Sequence, residues 1–126
     1  MIDCGQKTPC IPAEGFYEWR EEQGKKQPYM FSLKSEPVMS LAGIWQEGEY
    51  KGEPAITFAI VTDEPNELIA PYHDRMPLAI SDPKTWLTGT RPLDSIHTVS
   101  TIEFKVCPMN PAMNKPTVKA IEDIEP

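Results

Sequence analysis

Proline punctuates this chain from end to end: 14 of its 126 residues are proline, scattered rather than clustered. Each one fixes φ and removes a backbone donor, which confines it to turns, strand edges and helix starts. Scatter of this kind predicts many turns and short strands, not a disordered linker. The hydrophobic fraction of 40% and the charged fraction of 25% are ordinary for a globular chain. A single domain over residues 1–126 is expected, able to bury a core without disulfides or metal.

Between the prolines, alternation marks the strands. In "GFYEWR" (15–20), Phe16, Glu18 and Arg20 fall on one side and Tyr17 and Trp19 on the other. "PYMFSLK" and "VMSLAGIWQ" are further strands, and "EEQGKKQ" reads as a polar hairpin connection turning at Gly24. "EGEYKGEP" (47–54) is a second connection, leading into "AITFAIVT" (55–62), which reads as the clearest buried strand. "DEPNELIAPYH" offers the best helix start: Thr62 or Asp63 can cap it, Pro65 suits the first turn, and Pro71 stops it. "MPLAI" is a short strand, "SDPKTWLTG" a second short capped helix ending at Gly89, and "IEFKVCPM" the last strand. Residues 108–126 form a proline-rich tail without a clear pattern. The expected class is α+β: a β-rich curled sheet or open barrel with short helices.

Charge and cysteine content narrow the function classes. A net charge of −7 argues against a surface that holds nucleic acid by bulk electrostatics. It leaves room for one local basic face, since Arg75, Lys84, Arg91, Lys105, Lys115 and Lys119 all lie in the second half. Three cysteines without CxxC spacing make no disulfide framework, and neither a signal peptide nor a membrane-spanning run is visible. A reducing, cytoplasmic setting is expected, with no cofactor and no metal.

Three constellations carry chemistry. A carboxylate at Glu18, flanked by Tyr17 and Trp19, would be partly desolvated, and His73 in "YHDRMPLAI" needs little tuning for proton transfer near neutrality. The competing roles are a Glu18 ion pair with Arg20 or a lysine, and a turn cap at His73. Among the thiols, Cys10 and Cys107 read as small buried hydrophobes, while Cys4 is the exposed candidate nucleophile. Finally, Trp19 could stack on an unpaired base and Arg75 could grip a phosphate. Tryptophans at strand positions are more often core.

Read together, "CIPAEGFYEWR" (10–20), "LAGIWQ" (41–46) and "FAIVTDEPNELIAPYHDRMPLAI" (58–80), followed by "WL", closely resemble the SOS-response-associated peptidase family, in the C-terminal part of its domain. The resemblance implies recognition of abasic sites in single-stranded DNA. It also implies a protective crosslink: the amine of an N-terminal cysteine condenses with the sugar aldehyde, and its thiol closes a thiazolidine. By resemblance Glu18 and His73 manage proton transfers, Trp19 borders the DNA groove and Arg75 lies near the phosphate backbone. Residues 1–9 are atypical for the family, with Cys4 behind Met1, Ile2 and Asp3 and Gln6 in place of an arginine. The expectation is therefore a shortened domain whose Cys4 amine is blocked, without crosslinking activity, and able to self-associate through exposed sheet edges. The alternatives are a non-catalytic nucleic-acid or protein binding module and a thiol hydrolase using Cys4, His73 and Glu18.

Overall fold

The computed structural model describes residues 8–88 and 97–115. Strands dominate it, and every pairing among them is antiparallel. The expected β-rich class with few short helices holds, as open sheets rather than one closed barrel.

The first sheet contains the acidic strand. β2 (Phe16–Glu22) and β3 (Lys25–Leu33) form a hairpin through Gln23 and Gly24, with φ of 53° and 75°. Two successive left-handed residues match the twist of the strands they join, and Gly24 adopts that conformation without strain. Among the described residues β2 is an edge strand; β3 pairs on its other side with a later strand, Phe104–Pro108. The inner face sets Phe16 opposite Phe31 and Glu18 opposite Tyr29. Phe16 and Phe31 stack at 5.4 Å, with Phe104 edge-on to Phe16 at 6.4 Å. Gly15 enters this hairpin against the Phe31 carbonyl, where a Cβ would collide with backbone.

The second sheet is organised by β4 (Met39–Tyr50), which pairs with β1 (Cys10–Ala13) and β5 (Glu53–Ile60). Met39, Leu41 and Ala42 are buried, and Trp86 seals this region at 1% exposure. The indole N–H of Trp86 donates to the carbonyls of Pro9 and Gly43, so its polar edge is satisfied.

Several expectations are corrected. The connection expected over 47–54 shrinks to Lys51–Gly52, because β4 and β5 pair out to Tyr50 and Glu53. The strand read as the clearest buried one is exposed: Ile56 and Phe58 keep 67% and 69% of their surface. Apolar composition does not say whether a layer covers a strand, and β5 sits at a sheet edge with only β4 beside it among the described residues. "DEPNELIAPYH" makes no helix: β6 (Thr62–Asp63) takes its first residue, and turns follow over 67–72. The cap there is Asn66, whose side-chain oxygen accepts from the amides of Leu68 and Ile69, rather than Thr62 or Asp63. "MPLAI" splits between β7 (Met76–Pro77), paired with β6, and β8 (Ala79–Ile80), paired with β4.

The short helix α1 (Pro83–Thr88) forms as expected, with the Asp82 carboxylate accepting from the Thr85 hydroxyl at 2.5 Å; Gly89 lies outside the described residues. The last strand, β9 (Phe104–Pro108), also forms. Cys107 on it is exposed, because it faces away from the core, while Cys10 is half-buried. Part of the tail is ordered too. A short 3-10 turn over Pro111–Asn114 is capped by Asn110, and Met109 is buried. No described helix is long and apolar enough to cross a membrane.

Candidate functional site

The site grows out of the alternation of β2. Because successive side chains point to opposite faces, Glu18 shares the inner face with Phe16 and Arg20. Its side chain is 17% exposed, and its Oε2 stands 3.9 Å from Nε2 of His73. Burial pushes the Glu18 carboxyl above the ordinary carboxylate range, while the facing imidazole pulls it back and Asp74 adds to the rise. A carboxyl held in this way exchanges its proton more readily near neutrality than a solvated one.

His73 arrives from the turns that follow Asn66. Its amide donates to the Ile69 carbonyl at 3.1 Å, closing the last of these turns. Nδ1 of the ring lies 3.1 Å from both the amide and the carbonyl of Arg75, and 3.3 Å from the Asp74 carboxylate. The neutral ring accepts from the Arg75 amide, which places its own proton on Nε2, facing Glu18. The imidazolium donates from Nδ1 to the Arg75 carbonyl or to Asp74. Both protonation states thus find a partner without moving the ring. His73 is a turn cap on one nitrogen and a neighbour of Glu18 on the other.

The Glu18–Arg20 pair does not form. Arg20 donates through Nε to Glu22 at 2.9 Å, and its guanidinium carbon lies 4.3 Å from the centre of the Tyr72 ring. Arg75 is exposed beside His73 and holds the Thr62 carbonyl at 2.7 Å, with Thr62 Oγ1 at 3.1 and 3.2 Å. Trp19 is not brought to the pair. It points from the opposite face of β2, with Tyr17, and its indole N–H donates to Asn114 at 2.6 Å. Cys4 lies outside the described residues. Among those that are described, no cluster of histidine, cysteine or carboxylate side chains could hold a metal ion.

Sequence reasoning placed Arg20 on the face of Glu18 but missed Tyr29 and Tyr72 as neighbours of the pair. The signal was present for Tyr72, which precedes His73. Asn114, the partner of Trp19, sits in a stretch without periodicity and gave none.

An open β-rich fold thus sets a largely buried carboxyl against an exposed imidazole, with an exposed arginine beside them. The chain belongs to the SOS response associated peptidase (SRAP) family, whose sequence model matches residues 4–116. Among its relatives, the abasic site processing protein YoaM of Bacillus subtilis is 42% identical over 85 residues, covering 64% of this chain and 37% of YoaM. YedK of Escherichia coli, another abasic site processing protein, is 34% identical over 70 residues, covering 55% of this chain and 31% of YedK. A crystal structure of a protein from Bacteroides thetaiotaomicron superposes with a TM-score of 0.73 at 27% identity, covering 88% of this chain and 53% of that one. The chain thus spans well under half the length of the curated relatives named here.

Proposed function

We propose that this chain recognises abasic sites in single-stranded DNA, with Glu18 and His73 handling protons at the exposed sugar. The observation that carries the reading is the facing of Glu18 and His73 at 3.9 Å, in a chain whose relatives are named for abasic site processing. At an abasic site the ring-opened sugar offers an aldehyde at C1′. An amine that adds there gives a carbinolamine, whose hydroxyl leaves as water once protonated. Glu18 suits that donation, and His73 suits removal of the proton from nitrogen.

Arg75, exposed beside His73, provides charge for a backbone phosphate. Because β2 is an edge strand, DNA crossing it would meet Glu18 on one face and Trp19 on the other. A cytoplasmic setting belongs to the same reading.

The test mixes the chain with single-stranded oligonucleotides with and without one abasic site, following anisotropy and then denaturing electrophoresis. Preferential binding of the abasic strand, lost in Glu18→Gln, is expected. Equal binding of both strands would overturn the assignment. A denaturation-resistant band that persists in Cys4→Ala would indicate a lysine Schiff base.

A second proposal concerns self-association, which the open edge of β5 favours. No charged residue lies between Glu53 and Asp63. Pairing two copies antiparallel about Thr57 sets Ile56 of one opposite Phe58 of the other, Glu53 opposite Val61 and Asp63 opposite Lys51. Sedimentation that shows a dimer dispersed by Phe58→Lys supports this. A monomer at every concentration refutes it.

A further inference from the structure

Arg20 is held on two sides. Its guanidinium Nε and one terminal nitrogen each lie 2.9 Å from the same oxygen of Glu22, and the Tyr29 hydroxyl donates to that oxygen as well. Its flat face lies over Tyr72 at 4.3 Å and Tyr29 at 5.3 Å from the ring centres. A guanidinium fixed in this way is a platform and not a loose surface cation.

Tyr72 completes the arrangement. It packs edge-on to Tyr29 at 4.7 Å and to Phe31 at 5.1 Å, so its ring is pinned between the sheet and the arginine. The next residue is His73, whose side chain is 46% exposed. An exposed imidazole is not held over a carboxylate by their mutual attraction alone, because solvent-facing ion pairs are weak. Its placement comes from the Nδ1 contact to Arg75 and from the backbone that delivers it, and that backbone is anchored at Tyr72.

We propose that Arg20 is a positioning residue, which grips Tyr72 against the sheet and so sets His73 over Glu18. The proposal rests on the reading of Glu18 and His73 as an acid–base pair, but its test needs no DNA. By choosing Glu22 as its own partner, Arg20 also leaves the Glu18 carboxyl to His73.

The experiment follows the Glu18 side-chain carboxyl by NMR through an acid titration. Six proteins are compared: the unaltered chain, Arg20→Met and Arg20→Lys, each with and without His73→Gln. Removing the imidazole should raise the Glu18 midpoint in the unaltered background. In the Arg20→Met background the same removal should leave it unmoved, and Arg20→Lys should recover only part of the response. An equal rise in both backgrounds would overturn the proposal, whatever Arg20→Met does to melting temperature. Should Arg20→Met fail to fold, Tyr72→Leu takes its place: it keeps apolar packing and removes the stacked ring. Loss of the response there supports the role, and a retained response refutes it. Failure of the DNA reading would appear only in the oligonucleotide assay, so the two outcomes stay separate.

Discussion

Oε2 of Glu18 and Nε2 of His73 face each other at 3.9 Å, one on an edge strand and the other at the end of a run of turns. The gap is longer than a direct hydrogen bond. Under the proposed function the two groups would work on a common atom of the sugar, not form a locked ion pair.

The cost of holding Glu18 out of water should be visible as pH-dependent stability. Its folded carboxyl titrates above the ordinary range, chiefly through burial. The folded state therefore binds this proton more tightly, and the resulting stabilisation is complete below the unfolded pKa. It is lost as pH rises through the folded pKa. Glu18→Gln should accordingly be more stable than the unaltered chain at pH 7, with the advantage vanishing in acid. Urea midpoints at several pH values measure it.

Glu22 should behave in the opposite sense. The Tyr29 hydroxyl, and after it Arg20, hold its carboxyl below the ordinary range. That stabilisation is present above the unfolded pKa and disappears as pH falls through the folded one. Glu22→Gln should be destabilised at neutral pH and match the unaltered chain in strong acid, again by urea midpoints.

If Glu18 and His73 act on one proton inventory, their losses will not add. Each of Glu18→Gln and His73→Ala should slow any aldehyde-dependent reaction by about 10²–10⁴-fold. The double variant should be little worse than the poorer single one. Rate losses that multiply would separate the two residues.

Arg75→Ala should weaken binding of single-stranded DNA and reduce the slope of affinity against log salt by about 0.7 for one lost phosphate contact. The same substitution removes the bonds to Thr62 that tie the rim to β6. Comparing salt slopes, which folding defects do not alter, isolates the electrostatic part.

The interior makes simpler forecasts. Trp86→Ala should cost about 3–5 kcal/mol, since it empties a fully buried site and strands the carbonyls of Pro9 and Gly43. Gly15→Ala should cost about 1–3 kcal/mol by pressing a methyl into the Phe31 carbonyl. Equilibrium unfolding reads both.

Much of this arrangement is legible in the residues alone, and the exceptions have physical causes. The β2–β3 hairpin could be read because alternation and a polar turn at Gly24 agree. The approach of Glu18 to His73 could not be derived from either segment, and only the joint resemblance of both blocks pointed to it. Burial of β5 was misread because Ala55–Ile60 has the composition of a core strand whether or not a second layer lies over it. Asn66 was passed over in favour of Thr62 and Asp63 because all three are good caps, and pairing of β6 with β7 decides which is available. Trp19 illustrates the limit of adjacency: next to Glu18 in sequence, it points the other way.

The β4–β5 hairpin turns at Lys51 and Gly52, with φ of 52° and 81°, and no residue from Ile44 to Ile60 is buried. Its ladder of backbone bonds is long, yet little side-chain packing ties its far end to the rest. Such a segment opens by itself, at a free energy below that of global unfolding. Its amides should therefore exchange with deuterium well before those of Phe31 or Leu41. The hairpin should then melt as a flap of its own, leaving little trace in the unfolding of the region around Trp86.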